Sequence, residues 1–170
     1  MGHHTPLVWK RCIDDIFLVW THGEESLLNF LDHCNQCFPT IQFTAEHSLQ
    51  EINFLDTTIF FNRAGTLEST LFVKKQDICT LLHNSSFHPK SCKKGVIYSQ
   101  ALRYMRIITN NEELEEKLET LRDNLIRRGY NLSEVKTQFN KIRQYSQSDL
   151  LFNNNKQTTQ TVKNRPFVIP

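Results

Sequence analysis

Along the first seventy residues the spacing of apolar positions alternates between strand and helix periods. Val8 to Cys12 and Ile16 to Trp20 flank Ile13-Asp14-Asp15 and read as two short strands around a tight turn. The second strand is apolar on both faces and is expected to be deeply buried. Thr21-His22-Gly23-Glu24 has the spacing of a capping box, and Leu27, Leu31, Cys34 and Phe38 then recur at helical intervals, widened by Leu28 and Phe30. This helix is expected to end near Pro39. From Ile41 the period drops to two: Ile41, Phe43 and Ala45 alternate with Gln42, Thr44 and Glu46, predicting a half-buried strand. Glu51 to Phe61 and Thr66 to Val73 follow as strands, joined through Asn62-Arg63-Ala64-Gly65 in a hairpin.

After Lys74 the pattern turns helical. Ser99 to Ile108 is one predicted helix, and Asn111 to Arg128 a second, with Leu114, Leu118, Leu121 and Leu125 on one face and Gly129 as its terminator. Ser133 is read as the cap of a third, with Val135, Phe139 and Ile142 inward. From Ser146 the chain becomes polar, and Asn153 to Gln160 reads as a linker or loose tail. The expected class is α+β, with a sheet-and-helix region over residues 1–75, a helical region over 76–145 and a tail over 146–170.

Composition permits a folded chain: 170 residues with 39% hydrophobic side chains can bury a core. No apolar run approaches a membrane span, and Met1 to Lys10 lacks the order of a secretory signal, so the expected location is intracellular, in the nucleus. The five cysteines are expected to be reduced. The overall charge of +2 hides an asymmetry. Residues 1–73 carry three basic against nine acidic side chains, a net of −6, whereas residues 74–145 carry fourteen against eight, a net of +6. An acidic half suited to cations and a basic half suited to phosphates fit a nucleic-acid enzyme, although solvated helices produce the same split.

Candidate chemistry starts at Asp14 and Asp15. Two like charges beside an apolar strand are costly unless neutralised, and a divalent cation with hard oxygen ligands does that. Paired carboxylates at a hairpin end suit metal-dependent nucleotidyl transfer. Aspartates are equally ordinary turn residues, although a two-residue hairpin turn prefers the glycine that is missing here.

The surrounding residues add a family resemblance. Arg11-Cys12-Ile13-Asp14-Asp15-Ile16-Phe17 resembles the aromatic-x-Asp-Asp motif of reverse transcriptases, in the form found in Penelope-like retroelements. The ordered pieces Pro39-Thr40-Ile41-Gln42-Phe43-Thr44, Ile52-Asn53-Phe54-Leu55-Asp56, Leu82-His83-Asn84-Ser85-Ser86-Phe87-His88-Pro89-Lys90 and Tyr98-Ser99-Gln100-Ala101-Leu102-Arg103 are similar to that family too. The resemblance implies a partial polymerase palm followed by a helical, thumb-like region that holds an RNA or DNA template–primer. It makes Asp14 the main magnesium ligand and Asp15 its supporting carboxylate, with deoxynucleotides as the small-molecule substrates of the full-length enzyme. Cys12 departs from the family's aromatic residue beside the primer end. The family also carries further palm motifs upstream, including another metal-binding aspartate, and thirteen residues precede Asp14 here. The chain is therefore expected to be a fragment with an incomplete Mg2+ site, inactive alone. Arg165 to Pro170 looks like the start of a connection to an endonuclease.

Asp56 is read as a structural strand residue closing the palm. Lys74 and Lys75, after the last strand, either face the primer backbone or cap a solvated strand end. Lys90, Lys93 and Lys94, on a predicted loop, adjoin the helix holding Arg103 and Arg106, with Tyr98 and Tyr104 interleaved. Together these five cations are expected to form one phosphate-facing surface; the alternative is a basic face merely solvated. The acidic start of the next helix suits a helix N-terminus and would not touch phosphate. Cys79, His83, His88 and Cys92 have zinc-ligand types, but their intervals match no strong finger signature, and Cys34-x-x-Cys37 lacks a second pair. Besides the polymerase fragment, two readings stand: a non-catalytic helical nucleic-acid-binding module and an inactive retroelement relic.

Overall fold

The computed structural model describes residues 5–38, 40–74 and 81–152. Lys75, Cys79, the helix-ending Pro39, the polar run from Asn153 and the segment Arg165 to Pro170 lie outside the described residues. Those described form an α+β chain with two antiparallel sheets and five helices. The chain divides into two units, one of Met1–Thr80 with Ile107–Glu116, the other of Leu81–Arg106 with Lys117–Pro170.

In the first unit, strands β1 (Val8–Cys12) and β2 (Asp15–Val19) pair with Cys12 opposite Asp15, leaving Ile13 and Asp14 as a two-residue turn. One face of this hairpin meets helix α1 (Glu24–Cys37) through Phe30, whose ring lies 6.2 Å from Trp9 and 5.0 Å from Trp20. The other face meets the second sheet, with Phe17 and Phe54 5.5 Å apart. The expected deep burial of β2 is not found: Ile16 to Trp20 are all half-buried. A two-stranded ribbon buries its faces only through single aromatic contacts of this kind.

The capping box is also corrected. The N-cap of α1 is Gly23, at φ 83, and no side chain caps it. The Ser26 hydroxyl donates instead to the His22 carbonyl at 2.6 Å and accepts from Trp20 Nε1 at 2.9 Å, so the first turn is tied to the end of β2. Leu27 is buried and Leu31 half-buried, but Phe38 projects into solvent. Its extended backbone is the conformation that a following proline imposes.

The strand expected from Ile41 does not form, and every residue from Ile41 to Gln50 is exposed. Alternation alone does not make a strand; a ladder needs a neighbour, and here Asn35 takes that role. Its side-chain carbonyl accepts from Phe43 N at 2.6 Å and its amide donates to Phe43 O at 3.0 Å. The run Glu51 to Phe61, read as one strand, is two: β3 (Glu51–Phe54) and β4 (Thr57–Phe61), reversed at Leu55-Asp56. Asp56 is therefore a turn residue. The hairpin at Asn62–Gly65 leads to β5 (Leu67–Leu71), giving the antiparallel order β3-β4-β5. The outer edge of β5 is closed by the segment Ile107–Glu113. Ser69 Oγ donates to Ile107 O at 2.6 Å, Thr109 N donates to Ser69 O at 3.0 Å, Ser69 N donates to the Thr109 hydroxyl Oγ1 at 3.0 Å, and Thr70 donates to Glu113.

The second unit has a true core. Helix α2 runs from Lys90 to Ile107, starting nine residues before the predicted Ser99, with Ile97, Ala101 and Met105 buried. Helix α3 (Asn111–Arg127) begins in the first unit and continues into the second, where it buries Leu118, Leu121 and Leu125. It ends in a Schellman motif: Tyr130 N donates to Leu125 O at 3.1 Å and Gly129 N to Ile126 O at 2.9 Å, with Gly129 at φ 81. Helix α4 (Leu132–Ile142) buries Val135, Phe139 and Ile142, and its cap is Asn131 rather than Ser133. The expected tail begins with a further short helix, α5 (Gln147–Phe152), opened by Ser146 and Asp149.

Candidate nucleic-acid interface

Asp14 and Asp15 stand where the sequence puts them, at the tip of the first hairpin, and both are exposed. Water solvates the pair, so the anticipated cost of burying two like charges is absent. Among the described residues no three His, Cys, Asp or Glu side chains cluster as a metal site. The donor chemistry still suits magnesium, which is commonly held by one or two carboxylates with the rest of its shell from water and substrate phosphates.

The turn itself is unusual. Ile13 sits at φ 56 and is 80% exposed, and Leu55 repeats the arrangement at φ 56 with Asp56 beside it. A β-branched residue at positive φ is strained, by roughly 1–3 kcal/mol for such positions. Arg11 Nε donates to Ile13 O at 2.8 Å and holds the tip. Both hairpins thus use an apolar-Asp turn where glycine would relax the backbone.

The predicted cations do not form one surface. Lys90, Lys93 and Lys94 belong to the first turns of α2, not to a loop. At about 100° per residue, Lys94 and Arg103 fall on opposite sides of the helix, as nearly do Lys90 and Arg106. Lys93 Nζ is committed to the carbonyls of Asn84 at 2.8 Å and Ser86 at 3.3 Å, and Lys94 pairs with Glu134 at 3.5 Å. Lys90, Arg106 and Lys74 are exposed, while Arg103, Tyr98 and Tyr104 are half-buried. His83 and His88 bond Ser85 and Ser86 within their own loop.

A different face gathers polar groups without being singled out by the sequence reading. On α4, Ser133, Lys136, Thr137, Asn140 and Lys141 recur at i, i+3, i+4, i+7 and i+8, and all are exposed. The stripe was legible as the complement of Val135, Phe139 and Ile142. Its helix follows α3 after the short turn Arg128–Asn131, whose glycine is locked by the Schellman bonds. The hollow beside it, lined by Arg122, Lys136, Asn140 and Arg143 among others, measures about 100 Å³. That is smaller than the roughly 300–1,000 Å³ of small-molecule sites, so the face suits a surface-binding partner better than a small ligand. No described helix is long and apolar enough to cross a membrane.

Comparison with known proteins fits this geometry. No curated protein and no solved structure matches the chain. Residues 80–140, just over a third of the chain, are similar to the animal helix-turn-helix domain family, a span that takes in α2, α3, the glycine turn and most of α4.

Proposed function

We propose that the chain is part of a retroelement reverse transcriptase, its first unit contributing palm residues and its second a thumb-like region that grips an RNA or DNA template–primer. The observation that carries the nucleic-acid part is the α3–turn–α4 arrangement with its exposed polar stripe, inside the residues similar to a helix-turn-helix domain. In such motifs the second helix enters a groove of the duplex. Lys136 and Lys141 then meet phosphates, and Asn140 has the amide that reaches base edges or sugars. Lys90 is a peripheral phosphate contact on this reading, while Arg106, on nearly the opposite side of α2, Arg103 and Lys74 are given no contact in it.

The palm part is supported by the sequence resemblance, by the two exposed carboxylates at a hairpin tip and by the strain at Ile13, since strained turns concentrate at working sites. Asp14 and Asp15 would hold Mg2+, which supplies activation of the primer hydroxyl and charge neutralisation at the phosphates. A second reading, a helical binding module without catalysis, is favoured by the family match falling on residues 80–140 alone.

Manganese, a paramagnetic stand-in for magnesium, separates the two. In amide NMR spectra of the full chain, Mn2+ at equimolar level is expected to broaden residues 12–16 selectively, and Asp14→Asn with Asp15→Asn to abolish the effect. Uniform or absent broadening, alongside tight duplex binding, supports the module instead.

A further inference from the structure

We infer that the loop Asn84–Pro89 is a base-stacking element in which the Phe87 ring takes an unpaired nucleobase at a duplex end, with Lys90 meeting the adjoining phosphate. This rests on the nucleic-acid reading above and adds to it a second contact and a preferred substrate form.

The loop is built rather than loose. Asn84 N donates to Arg128 O at 2.9 Å and its side-chain amide to Gly129 O at 2.9 Å, which ties the loop to the Schellman turn closing α3. From the other side the Lys93 ammonium donates to the carbonyls of Asn84 and Ser86, bracketing the approach to Phe87. Ser86 N donates to His83 O at 3.0 Å, and the rings of His83 and His88 bond Ser85 and Ser86. Amid these bonds Phe87 is fully exposed. A single exposed apolar side chain is ordinary on a protein surface; what marks this one is its place on a hydrogen-bonded loop beside the exposed Lys90, where its ring offers a flat apolar face next to a cation.

The charge around it selects the partner. No acidic side chain occurs in the sequence between Asp77 and Glu112; beside the loop Lys90 is exposed and the Lys93 ammonium is held against the loop carbonyls, while Lys94 is paired with Glu134. An anionic ligand with flat apolar faces answers both features, which is the chemistry of a nucleic-acid strand. Bases within a duplex already have both faces stacked, so the free face belongs to a terminal or single-stranded base. Aromatic stacking tolerates any base, which suits a template strand of arbitrary sequence.

The test uses the full chain with a blunt RNA–DNA hybrid duplex and the same duplex bearing a single-stranded extension, with 2-aminopurine at the first unpaired position. Wild type is expected to bind the extended duplex about tenfold more tightly than the blunt one and to change the 2-aminopurine emission. Phe87→Ala is expected to erase both the preference and the emission change while leaving blunt-duplex affinity and circular dichroism unaltered; Phe87→Trp is expected to keep them. Retention of preference and emission change by Phe87→Ala overturns the proposal alone, as does equal competition by polyglutamate and by single-stranded DNA. Lys136→Ala with Lys141→Ala is expected to weaken both duplexes in parallel. Failure of wild type to bind either duplex overturns the proposal together with the reading beneath it.

Discussion

The two units make their apolar residues do different things. In the second, Ile97, Leu121, Leu125, Val135 and Ile142 are almost completely buried, and each predicted helical stripe finds a surface to cover it. In the first, Leu27 is the one buried hydrophobic residue among the described positions before residue 75, joined by Ile108 and Leu114 from the segment Ile107–Glu116, while Trp9, Phe38, Ile41, Phe43 and Phe61 remain substantially exposed. Strand β2 is as apolar as any segment of the chain and is still only half-buried. The contrast teaches that hydrophobicity specifies which face seeks cover, whereas burial depends on how many layers are available to supply it. Helices α2, α3 and α4 each bury an apolar stripe; two small sheets and one helix leave faces open.

The largest expected effect breaks the comparison if it fails. Leu125→Ala should destabilise the helical unit by about 3 kcal/mol, the range for emptying a buried leucine site. Ile16→Ala in half-buried β2 should cost about 1 kcal/mol. Both tryptophans, Trp9 and Trp20, lie in the first unit, so their fluorescence follows that unit while far-ultraviolet dichroism mainly follows the helices. The two denaturation curves should not coincide, with fluorescence changing at lower denaturant. Coincident curves, or equal costs, would remove the distinction.

A smaller effect sharpens the account of the helical turn. Gly129→Ala places a methyl 3.5 Å from His83 Cε1 and 3.8 Å from Asn84 Cβ, ordinary contact distances, so its cost is that of φ 81 alone. That is about 1–2 kcal/mol, read from the melting of the helical signal. On the other side of the comparison Ile13→Gly should stabilise the first unit by on the order of half a kcal/mol, because relief of positive φ outweighs the added chain entropy. Loss of stability there would mean that the exposed isoleucine side chain contributes packing.

How far these features could be read from the sequence follows the same division. Leu114 to Leu125 on α3 and Val135 to Ile142 on α4 were legible because each turn repeats one stripe, and Gly129 was legible as a terminator because few other residues adopt its backbone. The start of α2 was not, since Lys90 to Gly95 carries no apolar period and its first turns are held through Lys93 and Lys94. The turn at Leu55-Asp56 was hidden by its lack of glycine, and the false strand at Ile41 by an alternation that Asn35, rather than another strand, satisfies. For the site, the position of Asp14 and Asp15 at a hairpin tip was legible but their exposure was not. The five-cation surface was misplaced because helix phase, which separates Lys94 from Arg103, depends on where the helix begins.

The smallest effect is local. The Asp149 carboxyl is held below its ordinary value by bonds from the Ser146 hydroxyl and backbone amide. A depressed carboxylate stabilises the folded state above its unfolded value, and that contribution disappears as pH falls through the folded one. Ser146→Ala should shift the Asp149 titration upward in NMR, and an unmoved titration would assign the depression to other neighbours.

The central claim, that the helical unit holds nucleic acid through α4, is tested most directly by the salt dependence of duplex binding. For B-form DNA each phosphate contact contributes about 0.9 to the slope of log affinity against log salt. Replacing Lys136 and Lys141 by alanine should therefore lower the wild-type slope by about 2. The control is Lys117 with Arg63, neither of which belongs to the α4 stripe or lines the hollow beside it; their replacement should leave the slope unchanged. Equal losses from the two pairs, or an unchanged slope in the α4 variant, would contradict the assignment.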